Sequence, residues 1–256
     1  MLHLKKSLGQ HFLKDENIQR KIADAIGDLK VYARVIEIGP GAGALTKHLT
    51  KGKPANLYLI ELDDRWAAHQ KETNGWMADR VIHEDFLRTD LTSILAYPTH
   101  IVGNFPYNIS SQIVFTIIDH RDMITAMTGM FQKEVGLRIA AKPGNKDYGV
   151  LSILTQAYYN AEYLFDVPPT SFDPPPKVMS GVVRLTRRTD SLQCDEVLFK
   201  KIVKQAFTQR RKTMRNSLKT MIHEKNISDN PVFDKRPEQL TLKELEALTN
   251  FIANSK

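Results

Sequence analysis

The stretch RVIEIGPGAGALTKHLT, residues 34 to 50, decides the fold. Arg34-Val35-Ile36-Glu37-Ile38 has the β-branched run of a buried strand, and it breaks on Gly39-Pro40-Gly41-Ala42-Gly43 before a helix-forming segment. Glycines at a strand-to-helix turn let a ligand approach the backbone, with the helix N-terminus facing it. A tight turn around a packed glycine would use the same residues, so the loop alone names no ligand.

Outward from that stretch, short apolar runs alternate with helix-like segments. Leu57-Tyr58-Leu59-Ile60 reads as a second strand, Arg80-Val81-Ile82-His83 as a third, the run ending at Val102 as a fourth, and Met123 to Phe131 as a fifth. Helical patterns fall at Arg65 to Lys71 and Ser110 to Ile118. The alternation predicts an α/β domain with a parallel sheet and helices on both faces. A further strand is expected at Gly181 to Leu185, and only helices after Thr189, at 196–207, 213–223 and 242–252. Residues 1–188 are therefore expected to form a Rossmann-like domain and 189–256 a small helical one. Between them VPPTSFDPPPKV, residues 167 to 178, carries five prolines and cannot be helical. It is either a linker or a rigid loop beside a site.

Composition narrows the class. With 42% hydrophobic residues the chain can bury a core, and with no apolar run of membrane-spanning length it is expected to be soluble. Its one cysteine, Cys194, excludes a disulfide framework, and the N-terminus has no signal-peptide core. Cytoplasmic residence, no metal site and a monomer are the expectations. The net charge of +7 is concentrated: twelve Lys/Arg face four acids between Arg184 and Lys225, so that window carries all of the excess. Clustered cations favour a polyanion, because neutralised phosphates release counterions.

Three elements around the glycine loop fall into register. Gly39 and Gly41 would cradle the ligand, Glu61 at the end of the second strand can accept ribose hydroxyls, and Asp85 after the third can accept an adenine amine with Phe86 against the ring. GPGAG lacks the GxGxxG spacing of a dinucleotide site. The combination resembles the S-adenosylmethionine site of class I methyltransferases. GNFPYNIS, residues 103 to 110, then falls at the end of the fourth strand. It resembles the [ND]-x-P-[YF] signature of methyltransferases acting on amines conjugated to planar rings. The Asn104 side-chain oxygen and the Pro106 carbonyl could accept the two N–H groups of an adenine N6, while Tyr107 stacks on the base. The base must leave its stack to reach them. No general base is required, because the nitrogen becomes acidic only as its bond to carbon forms.

The stretches KKSLGQHFL (5–13), EIGPGAGALT (37–46), IELD (60–63), GNFPYNIS, QKEVGLRI (132–139), KDYGVLSI (146–153), VPPTSFDPPPKVMSGVVRL (167–185) and FTQRRKTMRNSLK (207–219) resemble, in order, the KsgA-type small-subunit ribosomal RNA dimethyladenosine transferases. That resemblance implies cofactor contacts from His11, Leu13, Gly39, Glu61, Asp85 and Asn104, with an N-terminal segment closing over the cofactor. It implies dimethylation of two adjacent adenines in the 3′-terminal hairpin loop of 16S rRNA during small-subunit biogenesis. Arg210, Arg211, Lys212, Arg215 and Lys219 would grip RNA phosphates. The related Erm enzymes share the pocket but generally lack the last two stretches. An assembly factor with a vestigial pocket would retain the basic segment without the chemistry. The departures from the family pattern are Ala42, Phe105, Gly136 and Gly181, of which Phe105 could narrow the pocket or pack beneath it.

Overall fold

The computed structural model describes residues 11–221 and 230–254. The chain enters on a two-residue strand, β1 (Phe12–Leu13), and continues into helix α1 (Glu16–Ile26). Asp15 caps that helix: its carboxylate accepts the backbone N–H of Asn17 at 3.0 Å and of Ile18 at 3.2 Å. There follow β2 (Arg34–Ile38), α2 (Thr46–Leu49), β3 (Leu57–Glu61), α3 (Asp64–Thr73), β4 (Val81–His83), β5 (Thr99–Asn104), α4 (Ser110–Asp119) and β6 (Ile124–Gln132). The five strands β4-β3-β2-β5-β6 are parallel in that order, as the alternating pattern requires. The helix expected after the glycine loop is only four residues long, because Gly39, Gly41 and Gly43 all take positive φ and hold the loop out of the helix.

After β6 come α5 (Lys133–Ala140), α6 (Val150–Gln156), β7 (Tyr159–Val167), β8 (Phe172–Asp173) and β9 (Ser180–Arg187). Strand β9 runs antiparallel to β6, with Gln132 opposite Ser180 and Ala126 opposite Thr186, and β7 lies outside it at the sheet edge. Neither β7 nor α6 was expected. The proline-rich stretch is no free linker: β8 pairs antiparallel with β1, Leu13 opposite Phe172, and the Ser171 carbonyl accepts the N–H of Lys14 at 2.8 Å.

The chain divides into two compact units. One takes the residues up to Gly136 together with Ala161–Arg187, the other Leu137–Asn160 together with the chain from Arg188 on. The second unit thus claims a segment, 137–160, that the sequence pattern had assigned to the first domain. Polar ties hold it there: the Tyr148 hydroxyl donates to the Leu240 carbonyl at 3.1 Å, and Arg188 donates to the Gln156 carbonyl at 2.8 Å. This unit also contains α7 (Glu196–Thr208), α8 (Met214–Ser217) and α9 (Leu242–Asn254). Helix α7 buries Phe199, Ile202, Val203 and Ala206, leaving Lys200, Lys201 and Lys204 off the buried face. The helix expected at 213–223 is only the short α8, and residues 222 and 223 lie outside the described residues. Among the described residues no helix is long and apolar enough to cross a membrane, and no cluster of three His, Cys, Asp or Glu is placed to hold a metal.

Candidate active site

One pocket of the first unit collects the residues singled out for cofactor and chemistry: His11, Leu13, Gly39, Gly41, Glu61, Asp85, Phe86, Asn104, Pro106 and Tyr107 all line it. It opens where the parallel strands end, at the place where α/β sheets bind ligands. The glycine loop is fixed from both sides. The Gly41 N–H donates to Glu61 Oε2 at 2.9 Å, and Gln70 Nε2 donates to the Gly41 carbonyl at 2.7 Å. Gly41 has φ 51, and a Cβ there would stand 2.9 Å from the Phe12 ring, so the position needs glycine on two counts. Glu61 is buried and receives one backbone N–H on each oxygen, from Gly41 and, at 2.9 Å, from Asp63. Burial raises its pKa and those two bonds oppose the rise. Each oxygen keeps acceptor capacity for a ligand hydroxyl. The Asp85 carboxylate accepts the Leu87 N–H at 3.0 Å through Oδ1, and Phe86 is buried beside it.

Glu37 also lines the pocket, and sequence reasoning treated it only as part of a strand. Its carboxyl is pushed up to about 8 by burial, against a hydrogen bond from the Thr46 hydroxyl at 2.8 Å and with the nearby Glu61 charge adding to the rise. A buried carboxyl of this kind is relieved by a cation. That requirement fits a positively charged cofactor such as a sulfonium bearing an α-ammonium group.

In the NFPY segment, Asn104 Nδ2 donates to the His11 carbonyl at 3.1 Å. The amide is thereby oriented, with Oδ1 left as the acceptor. The Pro106 carbonyl already accepts the Ile109 N–H at 3.2 Å and would have to serve a second donor. The Tyr107 hydroxyl bonds the Ser180 hydroxyl at 2.6 Å, and its ring lies near-parallel to the His11 imidazole with centroids 5.7 Å apart. His11 Nδ1 in turn lies 2.9 Å from the Pro174 carbonyl, so the proline-rich stretch braces the N-terminal segment from outside.

Phe105 lines the pocket while most of its ring is packed into the core. It is buried edge-to-face against Phe131, centroids 5.1 Å apart, in space left by two glycines. A Cβ on Gly129 would fall 2.0 Å from its ring, and one on Gly103 2.8 Å. Gly136 and Gly181 share one explanation as well. Both make room for Tyr163, whose hydroxyl would sit 2.2 Å from a Cβ at position 181.

The residues expected to grip RNA lie in the second unit. Arg211, Lys212 and Lys219 are exposed, whereas Arg210 donates to the Asn145 carbonyl at 3.4 Å. Arg215 is committed to Asp234 by an ion pair of 2.9 Å.

A mostly parallel sheet with a glycine loop after β2, an acid at the end of β3 and an NFPY segment that begins on the last residue of β5 defines a Rossmann-like methyltransferase. Residues 1–249 match the sequence model for ribosomal RNA adenine dimethylases, and the chain belongs to that family. It is 51% identical to the ribosomal RNA small subunit methyltransferase A of Flavobacterium johnsoniae, over 97% of this chain and 95% of that one. The protein of the same name from Cytophaga hutchinsonii is 49% identical, with 97% of each covered. Among solved structures, a dimethyladenosine transferase from Plasmodium falciparum superposes with a TM-score of 0.76 at 26% identity, covering 94% of this chain and 97% of that one. The 23S rRNA methyltransferase ErmE shares the fold, with a TM-score of 0.70 at 24% identity over 93% of this chain and 99% of that one.

Proposed function

We propose that this enzyme transfers methyl groups from S-adenosylmethionine to the N6 amines of two adjacent adenines in the 3′-terminal hairpin loop of 16S rRNA, dimethylating each. The observation that carries this reading is the oriented amide of Asn104. With Nδ2 engaged by the His11 carbonyl, Oδ1 is left to accept an N–H from the arriving base. An N6 lone pair is delocalised into the adenine ring, so the amine is a weak nucleophile. Acceptors on its N–H groups favour the tetrahedral, positively charged nitrogen of the transition state. The Pro106 carbonyl is the second acceptor, and Tyr107, held at its hydroxyl by Ser180, offers a ring face to the base.

S-adenosylmethionine, when bound, would supply an electrophilic sulfonium methyl, with the bonding pair left on sulfur and the proton of the methylated nitrogen passing to water. The chain's own residues bind and enclose it. Glu61 takes the ribose hydroxyls, Asp85 and Phe86 the adenine, Gly39 and Gly41 let the backbone approach, and Glu37 answers the cationic portion. His11 and Leu13, on the segment clamped by Phe172, cover the site and exclude water. Arg210, Arg211, Lys212 and Lys219 hold the rRNA by its phosphates, and Arg215 joins them only by giving up Asp234.

The same chemistry on large-subunit rRNA is the second reading, favoured by the fold shared with ErmE. The deciding experiment is transfer of labelled methyl to small subunits lacking the modification, followed by nucleoside mass analysis and mapping. N6,N6-dimethyladenosine at two adjacent adenines near the 3′ end is expected. Labelling of large-subunit RNA alone would overturn the substrate assignment, and binding without any transfer would point to an assembly factor.

A further inference from the structure

The second unit brings together three segments that lie far apart in sequence. The loop at residues 142–147 is folded on itself: the N–H groups of Asn145 and Asp147 are bonded within it, at 3.1 Å to the Lys142 carbonyl and 2.9 Å to Asn145 Oδ1. At its tip Gly144, with φ 84, donates its N–H to the Glu238 carbonyl at 2.7 Å. On its other side the Asn145 carbonyl accepts from Arg210 at 3.4 Å. The loop, the turn after α7 and the turn at Pro237–Gln239 therefore form one corner, anchored underneath by the Tyr148 hydroxyl on the Leu240 carbonyl.

Six cations stand on that corner: Lys142, Lys146, Arg210, Arg211, Lys212 and Arg236. All but the half-buried Arg210 are exposed. Among the described residues none of the six is in an ion pair, whereas Arg215 is paired with Asp234 and Lys235 with Glu244. Asp147 and Glu238 are the acids in the same segments, which leaves the corner strongly positive. A cation without a resident carboxylate gains the whole of its interaction with an incoming phosphate, while a paired one must first give up its partner. No large apolar side chain is exposed in the three segments, so the corner suits a phosphodiester backbone better than a protein face.

We propose that Lys142, Lys146 and Arg236 belong to the rRNA-gripping surface, and that they contribute more to it than Arg215. This rests on the rRNA reading above and adds two segments to the surface that reading names. The test is binding of the full chain to small subunits lacking the modification, measured from 50 to 200 mM salt for wild type and variants. Lys142→Ala with Lys146→Ala should lower the slope of log affinity against log salt by about 1.4–1.8, as expected when two phosphate contacts are lost. Affinity should fall several-fold, cofactor affinity should stay unchanged, and Lys142→Gln with Lys146→Gln should behave alike. Lys30→Ala with Lys51→Ala, exposed lysines of the first unit, removes the same net charge and should leave the slope nearly unchanged. Arg215→Ala should cost less than the Lys142 and Lys146 pair. The proposal is overturned if that pair matches the Lys30 and Lys51 control while Arg210→Ala with Arg211→Ala still weakens binding. If wild-type protein fails to bind the subunits at all, the rRNA reading itself falls.

Discussion

The pocket and the basic corner hold their charges in opposite ways. In the pocket the polar groups are buried or half-buried and already partnered: Glu61 by two N–H groups, Glu37 by Thr46, Asn104 by the His11 carbonyl. In the corner six cations stand in or near solvent without counter-ions among the described residues. The first arrangement suits a small ligand whose atoms must be placed to a fraction of an ångström, and its strength lies in geometry fixed before binding. The second suits a long polyanion held by many weak contacts, and its strength follows ionic conditions.

The largest effect belongs to the smallest change in the pocket. Asn104→Ala should lower the rate of methyl transfer by about 10²–10³-fold at every salt concentration, the usual cost of losing one fixed transition-state contact. Cofactor affinity should fall only modestly. Substantial residual turnover in a labelled-methyl assay would remove Asn104 Oδ1 from the mechanism.

Beneath the pocket, Gly129→Ala should destabilise the fold by about 2–3 kcal/mol, because the new methyl overlaps the Phe105 ring. Adding Phe105→Leu should recover most of that loss, and urea unfolding of the single and double variants measures it. In the corner, Arg210→Ala with Arg211→Ala should weaken subunit binding by about tenfold and flatten its salt dependence, with cofactor titrations unchanged. Loss of cofactor binding in that variant would break the division between the two regions.

The mildest test is pH. The Glu37 carboxyl is raised from its ordinary value to about 8, so near neutrality it carries a proton that a cationic cofactor would displace. Cofactor affinity should therefore increase as pH rises toward 8, by up to about tenfold per unit, with proton release detectable by calorimetry in buffers of different ionisation enthalpy. Glu37→Gln should abolish that release. The salt slope of RNA binding should not share this pH dependence.

What could be read from the chain follows the same division between local and distant contacts. The glycine loop, Glu61, Asp85 and NFPY declare themselves because each sits at the end of a short apolar strand, where pattern and chemistry coincide. Strand β7 escaped notice: Glu162 and Asp166 break its apolar run, and an edge strand tolerates them. The β1–β8 pair was out of reach, since two residues opposite two others some 160 positions away leave no periodicity to detect. Glu37 looked like one more strand residue because only the fold turns its side chain toward the pocket. Phe105 and Gly129 meet across neighbouring strands, and neither announces the other. In the second unit, clustered charge marked the window Arg184–Lys225 and the family resemblance pointed to Arg215, but neither could show its partner Asp234, which folding brings to it.

The short pairing of Phe12–Leu13 with Phe172–Asp173 also bears on timing. In the proposed reaction four methyl transfers would consume four donor molecules, and the pocket would have to empty and refill between them. His11 and Leu13 line that pocket, and the His11 carbonyl also orients Asn104. The segment that lines the pocket is thus also the one that holds the Asn104 amide, so cover and aim rest on the same two-residue pairing.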